Sequence, residues 1–322
     1  MEIQASLRAP GSCGELVQGT IGRQDFLISC PIDLYSQVEI ELSPLNQGIR
    51  ANIPAGKTLR AVRQALQLYN KSYLGATITI NSQLIRGKGM ASSTADITAA
   101  LGAVMLALGR TIDLVVIKRI ALEIEPTDGT FLPGLSLFDH KHGSIVSYLG
   151  KPPELDILVF AERGQVDTSG FNLRRDLAKL NKDKEELVEE ALLLVKKGIV
   201  GNNPRLLGRG ATLSSLAHQS ILYKPSLNRL LKVVKGNEMV YGVNIAHSGT
   251  LLGVLINRDV QTGPLSVDIC QNCPDIEFIR RTSLISGGFI FKEGRERDGI
   301  CSEKMPRSLN YCNGRKGFGN CL

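Results

Sequence analysis

Apolar and polar side chains alternate with a period of two over residues 35–42, YSQVEIEL, which predicts a half-buried strand. The first 45 residues read as strand-rich throughout. The period then becomes helical. Leu59, Val62, Leu66 and Tyr69 share one face and predict a helix over residues 57–71. A short strand is expected over residues 77–80. A second helix is expected to start at Ser92 or Ser93 and to end near Gly109, a residue suited to a C-cap. A third follows Asp113, with Leu114, Ile117, Ala121 and Ile124 on one stripe and Pro126 behind it.

The texture changes after Gly143. Residues 144–148 read as a strand, Lys151-Pro152-Pro153 as a linker and residues 155–160 as a buried strand. A domain boundary is therefore expected near residues 149–153, dividing a unit over 1–150 from one over 151–293. Helices are predicted over 173–197, 203–222 and 227–235. A strand over 242–246, a turn of small residues, a further helix and a last strand over 288–291 complete the pattern. Past Gly294 no apolar period survives, and residues 294–322 read as a poorly ordered tail.

Composition narrows the class. Of 322 residues, 43% are hydrophobic and 21% charged, the balance of a globular chain. The longest apolar run, residues 99–108, is too short to span a bilayer, so no membrane partner is expected. The first residues show neither a basic n-region nor an apolar core, and a cytoplasmic location is expected. The net charge is +7, and residues 292–322 hold seven Lys or Arg against four Asp or Glu. No basic run carries interleaved aromatics and Trp is absent, which argues against a nucleic-acid partner. Mild basicity suits an anionic nucleotide. The seven cysteines are odd in number and loosely spaced, as for reduced thiols. Cys270 and Cys273 form a C-x-x-C pair without the second pair that a common zinc site needs. Nothing in the pattern specifies an oligomeric state.

Residues 88–96, KGMASSTAD, carry the clearest chemistry. Gly89, Ala91 and Ser92 let an anion approach the backbone. The helix start supplies free N–H groups and partial positive charge, and Lys88 adds a full one. The plain alternative is an ordinary N-cap. A second phosphate-like motif, AGKT at 55–58, ends as a Walker A loop does. The glycine required six positions before the lysine is Ala51 here, so Lys57-Thr58 reads as a plain helix start.

Four segments belong together: APGSCGELVQG at 9–19, KGMASSTAD at 88–96, EPTDGT at 125–130 and NIAHSGTLLGVL at 244–255. The set resembles the GHMP kinases, the superfamily of galactokinase, homoserine kinase and mevalonate kinase. The middle motif of that superfamily is P-x-x-x-G-L-G-S-S-A. Gly89, Ser92 and Ser93 match it, Met90 stands for Leu, Ala91 for the second Gly and Thr94 for Ala, while Ile85 holds the proline position. The branch most similar is the L-threonine kinases of cobalamin synthesis and propanediol utilisation. The resemblance covers roughly residues 5–290.

The resemblance implies an α+β, two-domain GHMP kinase architecture, with a ribosomal-protein-S5-like N-terminal domain and a ferredoxin-like C-terminal one. It implies ATP and Mg²⁺ as cofactors, a small hydroxylated amino acid as substrate, and O-phospho-L-threonine as product. Gly87, Lys88, Gly89, Met90, Ala91, Ser92 and Ser93 are expected to wrap the phosphates, with Lys88 also in a catalytic role. Ser93 and Glu125 are expected to hold Mg²⁺, and Asp128 to accept or orient the hydroxyl proton. Glu15, His247, Ser248, Gly249 and Thr250 are expected around the acceptor, with Glu15 facing an ammonium group. In the first motif Leu16 replaces the usual histidine, which fits a different acceptor.

Plainer readings stand beside these. Glu125 and Asp128 could be solvated loop acids, and Asp96 reads as a solvent-facing acid in the first helical turn. Cys13 reads as a small packed thiol rather than a nucleophile. Ser248 and Thr250 could simply cap a helix. His140 and His142, with no third ligand nearby in sequence, read as surface histidines. Homoserine kinase, or another GHMP kinase of a small hydroxylated metabolite, is the rival activity. A non-catalytic nucleotide sensor is the rival class, and retention of Ser93, Glu125 and Asp128 speaks against it.

Overall fold

The computed structural model describes residues 3–45, 48–163 and 176–291. The expected tail at 294–322 and the start of the helix expected at 173 lie outside these residues. The chain opens with two long strands, β1 (Ile3–Ile21) and β2 (Gln24–Ser43), paired as an antiparallel hairpin. There follow β3 (Ile49–Ala51), α1 (Gly56–Leu68), β4 (Gly75–Ser82), α2 (Ser92–Ala107) and α3 (Leu114–Ile124). Next come β5 (Leu135–Phe138), β6 (Val146–Gly150), β7 (Asp156–Glu162), α4 (Leu177–Asp183), α5 (Glu185–Val200), α6 (Pro204–His218) and α7 (Pro225–Val233). The last elements are β8 (Val240–Ile245), β9 (Leu251–Ile256), α8 (Thr262–Asn272), β10 (Ile276–Ser283) and β11 (Ile290–Phe291).

The main sheet runs β10-β7-β9-β8-β1-β2-β4-β3. Strands from both sides of residue 150 therefore share one hydrogen-bonded surface. They meet where Glu15 of β1 pairs with Ile245 of β8. The pairing of β1 with β2 slips between Pro10 and Gly11, between Ser12 and Glu15, and between Glu15 and Val17. Such bulges bend a strand and re-aim its side chains. Here they turn the first sequence motif toward the centre of the molecule.

Helix α2 is buried on almost every side and packs on β1 and β2. Its small residues allow the close approach, since a Cβ at Gly102 would meet Leu7. Helix α3 begins as its sequence predicts: the Asp113 carboxylate accepts from Val115 and Val116 N–H at 2.8 and 3.2 Å. Asn203 caps α6 in the same way, with Pro204 at its first turn.

Several expectations need correction. The predicted helix over 173–197 is, in its described part, two helices, α4 and α5. Residues 251–256 form strand β9, not a helix. All six are buried, and β9 lies between β7 and β8, so a continuous apolar run suits both of its faces. Without a helix there, Ser248 and Thr250 cap nothing; they belong to the turn of a β8–β9 hairpin. Strand β10, absent from the sequence reading, closes the sheet edge beside β7.

Candidate active site

The loop before α2 is held in an uncommon conformation. Gly87 and Gly89 have φ of 74° and 98°, and Ala91, the helix N-cap, is left-handed at φ 54°, ψ 28°. Met90 anchors it: the side chain is buried, its sulfur accepts from Ile85 N–H at 3.3 Å, and its carbonyl accepts from Ser12 N–H at 3.0 Å. Lys88 O accepts from Thr250 and Leu251 N–H at 2.9 and 3.2 Å. The two loops then touch backbone to backbone. A Cβ on Gly249 would lie 2.2 Å from Lys88 O, so glycine is required by the approach itself. No side chain caps α2. The first-turn N–H groups of that helix are thus directed at the loop's open side, the arrangement that receives an anion.

Two acids leave the end of α3 in different directions. Glu125 is the residue after the helix, and its extended backbone carries the carboxylate back toward α2. One oxygen, Oε1, accepts from Ser93 Oγ, and the other, Oε2, pairs with Lys57 Nζ. Asp128 lies on the far side of the turn. Its N–H donates to Thr94 Oγ1 at 3.2 Å, and its carboxylate is hydrogen-bonded to Glu15 and Thr94.

Glu15, Asp128, His140, His247 and Ser248 line a cavity of about 100 Å³, with Gly89 at its rim. Glu15 is 3% exposed and its Oε2 has no hydrogen-bond partner. Burial, and then the charge of Asp128, raise its carboxyl well above the usual range. Burial, and then the charge of Glu125, raise Asp128 to about 6. Glu15 therefore carries the proton of the pair and donates it toward Asp128.

Three histidines pack together here, two of them, His140 and His247, in the cavity lining. The His140 and His247 ring centroids are 5.1 Å apart, and those of His218 and His247 are 5.2 Å apart. His247 Nδ1–H donates to Gln18 Oε1 at 2.8 Å, and His218 Nε2–H donates to the His247 carbonyl at 3.1 Å. Burial depresses all three, His140 to about 4, His218 to about 3 and His247 well below its ordinary value, so the rings are neutral. They supply shape and hydrogen bonds rather than charge.

Residues 52–132 match the model of the GHMP kinases N terminal domain. An L-threonine kinase of Salmonella typhimurium (strain LT2) is 34% identical over 256 residues, which cover 79% of this chain and 83% of that protein. The chain belongs to the GHMP kinase family. A second L-threonine kinase, from Citrobacter freundii, is 35% identical to this GHMP kinase over 259 residues, 79% of this chain and 87% of that one. The crystal structure of homoserine kinase from Cytophaga hutchinsonii shares the fold. Its TM-score is 0.67 at 16% identity, covering 89% of this kinase and 96% of that chain. The α+β architecture expected from the motifs is thus the one observed.

The residues singled out in the kinase's sequence fall into one neighbourhood with distinct positions. Gly87 to Ser93 form the loop and helix start. Ser93 and Glu125 touch each other. Glu15, His247 and Ser248 line the cavity with Asp128, while Gly249 and Thr250 brace Lys88. The Lys88 ammonium lies 3.9 Å from Glu277 of β10. Two plain readings are overturned. Asp96 is buried, paired with Arg86 at 2.9 Å and hydrogen-bonded by Ser36 Oγ, because α2 is enclosed rather than exposed there. His140 is buried in the cavity wall, and only His142 of that pair is exposed. Cys13 is a packed thiol, pushed up to about 12 by burial and then by Glu15.

Sequence reasoning missed Gln18, which orients His247 across 229 positions, and Lys57, which its failed Walker A pattern set aside. A hydroxyl and one carboxylate at a phosphate loop fit Mg²⁺, a hard cation that keeps several waters and shares phosphate oxygens. Among the described residues no group of three or more His, Cys, Asp or Glu could hold a metal by itself. Nor is any described helix long and apolar enough to cross a membrane.

Proposed function

We propose that this kinase transfers the terminal phosphoryl group of ATP to the side-chain hydroxyl of L-threonine, giving O-phospho-L-threonine and ADP. One observation carries the reading. Glu125 and Asp128, three residues apart, diverge so that one meets Ser93 on the phosphate side and the other meets Glu15 in the cavity. A phosphoryl group held by the loop and a hydroxyl held in the cavity would meet at this turn. The 34% and 35% identities to L-threonine kinases support the choice of acceptor.

The backbone N–H groups of the loop and α2 bind the triphosphate. Ser93 and Glu125 would hold Mg²⁺, which would neutralise charge on the transferring group. Asp128 takes the hydroxyl proton as the new O–P bond forms and the bond to ADP breaks. Its raised position near 6 leaves it ionised at neutral pH yet more basic than an ordinary aspartate. Glu15 meets the ammonium of the amino acid. A cation there would supply a partner for Oε2 and offset the effect of burial, favouring the carboxylate. The product would enter the aminopropanol arm of cobalamin.

An ADP-release screen over L-threonine, homoserine, serine, 1-amino-2-propanol and a sugar panel tests this, with the product identified by ³¹P NMR. ADP is expected with L-threonine, as phosphothreonine. Turnover with homoserine but not threonine would reassign the acceptor. Tight ATP binding with no turnover would leave a sensor.

A further inference from the structure

Both oxygens of Glu125 are engaged by protein groups, Oε1 by Ser93 and Oε2 by Lys57. A metal ion that takes this carboxylate must compete with Lys57. We propose that Lys57 is a mobile counter-cation: it pairs with Glu125 until the metal–nucleotide complex arrives, then passes to the triphosphate. The proposal rests on the reading of Ser93 and Glu125 as the metal site.

Three features of the structure support it. First, Lys57 stands in the opening turn of α1, where the helix dipole disfavours a cation and no acidic residue of that turn offsets it. Helix formation gives no reason for a lysine there, but Glu125, 68 positions away, does. Second, the two partners are unequally exposed. The Lys57 side chain is 59% exposed and that of Glu125 19%. The carboxylate needs a nearby cation, while the ammonium can leave into water at little cost. The lysine end of the pair is open to water and salt, so a divalent ion can displace it. Third, the two cations on the loop's own stretch of chain have acidic partners that are not metal ligands. Arg86 is tied to Asp96 at 2.9 Å and to Pro54 O at 3.0 Å, and Lys88 faces Glu277. Lys57 is the cation whose own partner would be the metal ligand, and it is freed beside the helix start that receives the phosphates.

The role predicts effects of opposite sign in one variant. Lys57→Met removes the competitor, so free Mn²⁺, measured by electron paramagnetic resonance with no nucleotide added, should bind about 2- to 5-fold tighter. The same variant loses the phosphate contact, so the Mn²⁺ complex of the non-hydrolysable analogue AMPPCP should bind about 3- to 10-fold more weakly by calorimetry. Lys57→Arg, which keeps the charge, should restore both toward wild type. A lysine that only braced the fold would lower the two affinities together. If wild type binds Mn²⁺–AMPPCP but K57M binds free Mn²⁺ no tighter, or the complex no more weakly, the proposal fails alone. If Glu125→Gln binds Mn²⁺ as wild type does, the metal-site reading beneath it fails as well.

Discussion

Gly249 is the point where the β8–β9 turn presses on the loop before α2, and Gly249→Ala measures what that contact does. A Cβ there would lie 2.2 Å from Lys88 O, 2.5 Å from Gly89 Cα and 2.6 Å from Gly89 N. All three neighbours are backbone atoms, so no side-chain rotation relieves the clash. Gly249 itself is not left-handed, so alanine is allowed locally and the effect is purely one of space. Restoring ordinary contact of about 3.5 Å requires the loops to part by about 1 Å. That shift stretches the bonds from Thr250 and Leu251 N–H to Lys88 O, now 2.9 and 3.2 Å. Overpacking of this kind costs about 1–3 kcal/mol. For a chain of this size, each kcal/mol lowers Tm by about 2–4 °C. The larger effect falls on activity, because a displacement of about 1 Å at the reacting groups can reduce turnover by about 100-fold. Scanning fluorimetry and steady-state ADP release on the variant read the two quantities. Gly263→Ala, whose Cβ would meet nothing within 4 Å, is the control and should match wild type in both. A G249A enzyme with wild-type Tm and kcat/KM would show that the two loops are not braced as described.

Two further outcomes follow from the same geometry. Asp128, raised to about 6 by burial and then by Glu125, acts as base only when ionised. The kcat/KM for L-threonine should therefore be flat at neutral pH and fall about tenfold per unit below about 6. Asp128→Asn should lower kcat by about 10²–10⁴-fold and remove that limb, and an unchanged pH profile in the variant would exclude the assignment. Ala91 occupies a left-handed conformation at φ 54°, which costs a non-glycine residue about 1–2 kcal/mol. Glycine accepts that conformation but gives back about 0.5–1 kcal/mol in chain entropy. Ala91→Gly should thus stabilise the protein by about 0.5–1 kcal/mol in urea unfolding, and a loss of stability would mean that the strain is absent.

Much of this molecule was legible in its sequence wherever the cause was local. The starts of α1 and α3 follow from periodicity within a few turns, that of α2 from the Ser92-Ser93 pair behind small residues, and Asp113 caps where the pattern changes. The resemblance to the GHMP kinases drew attention to the loop before α2 and to Ser93 and Glu125, which meet in the fold. The run at 251–256 was misread because six consecutive apolar residues suit a buried helix as well as a strand. Only the flanking edges of β7 and β8 decide between them.

Residue types, helix starts and the chemical family were set by the sequence alone, since backbone propensity, side-chain period and motif spacing act over a few neighbours. Protonation and partnership were decided by the tertiary structure. Asp96 and His140 looked like solvent-facing groups and are buried. Burial, and then the charge of Asp128, 113 positions away in the same cavity, raise the Glu15 carboxyl. Lys57 is an ion-pair partner because α1 and the end of α3 converge. Water exclusion and charge proximity act through space, and the chain must fold before either exists.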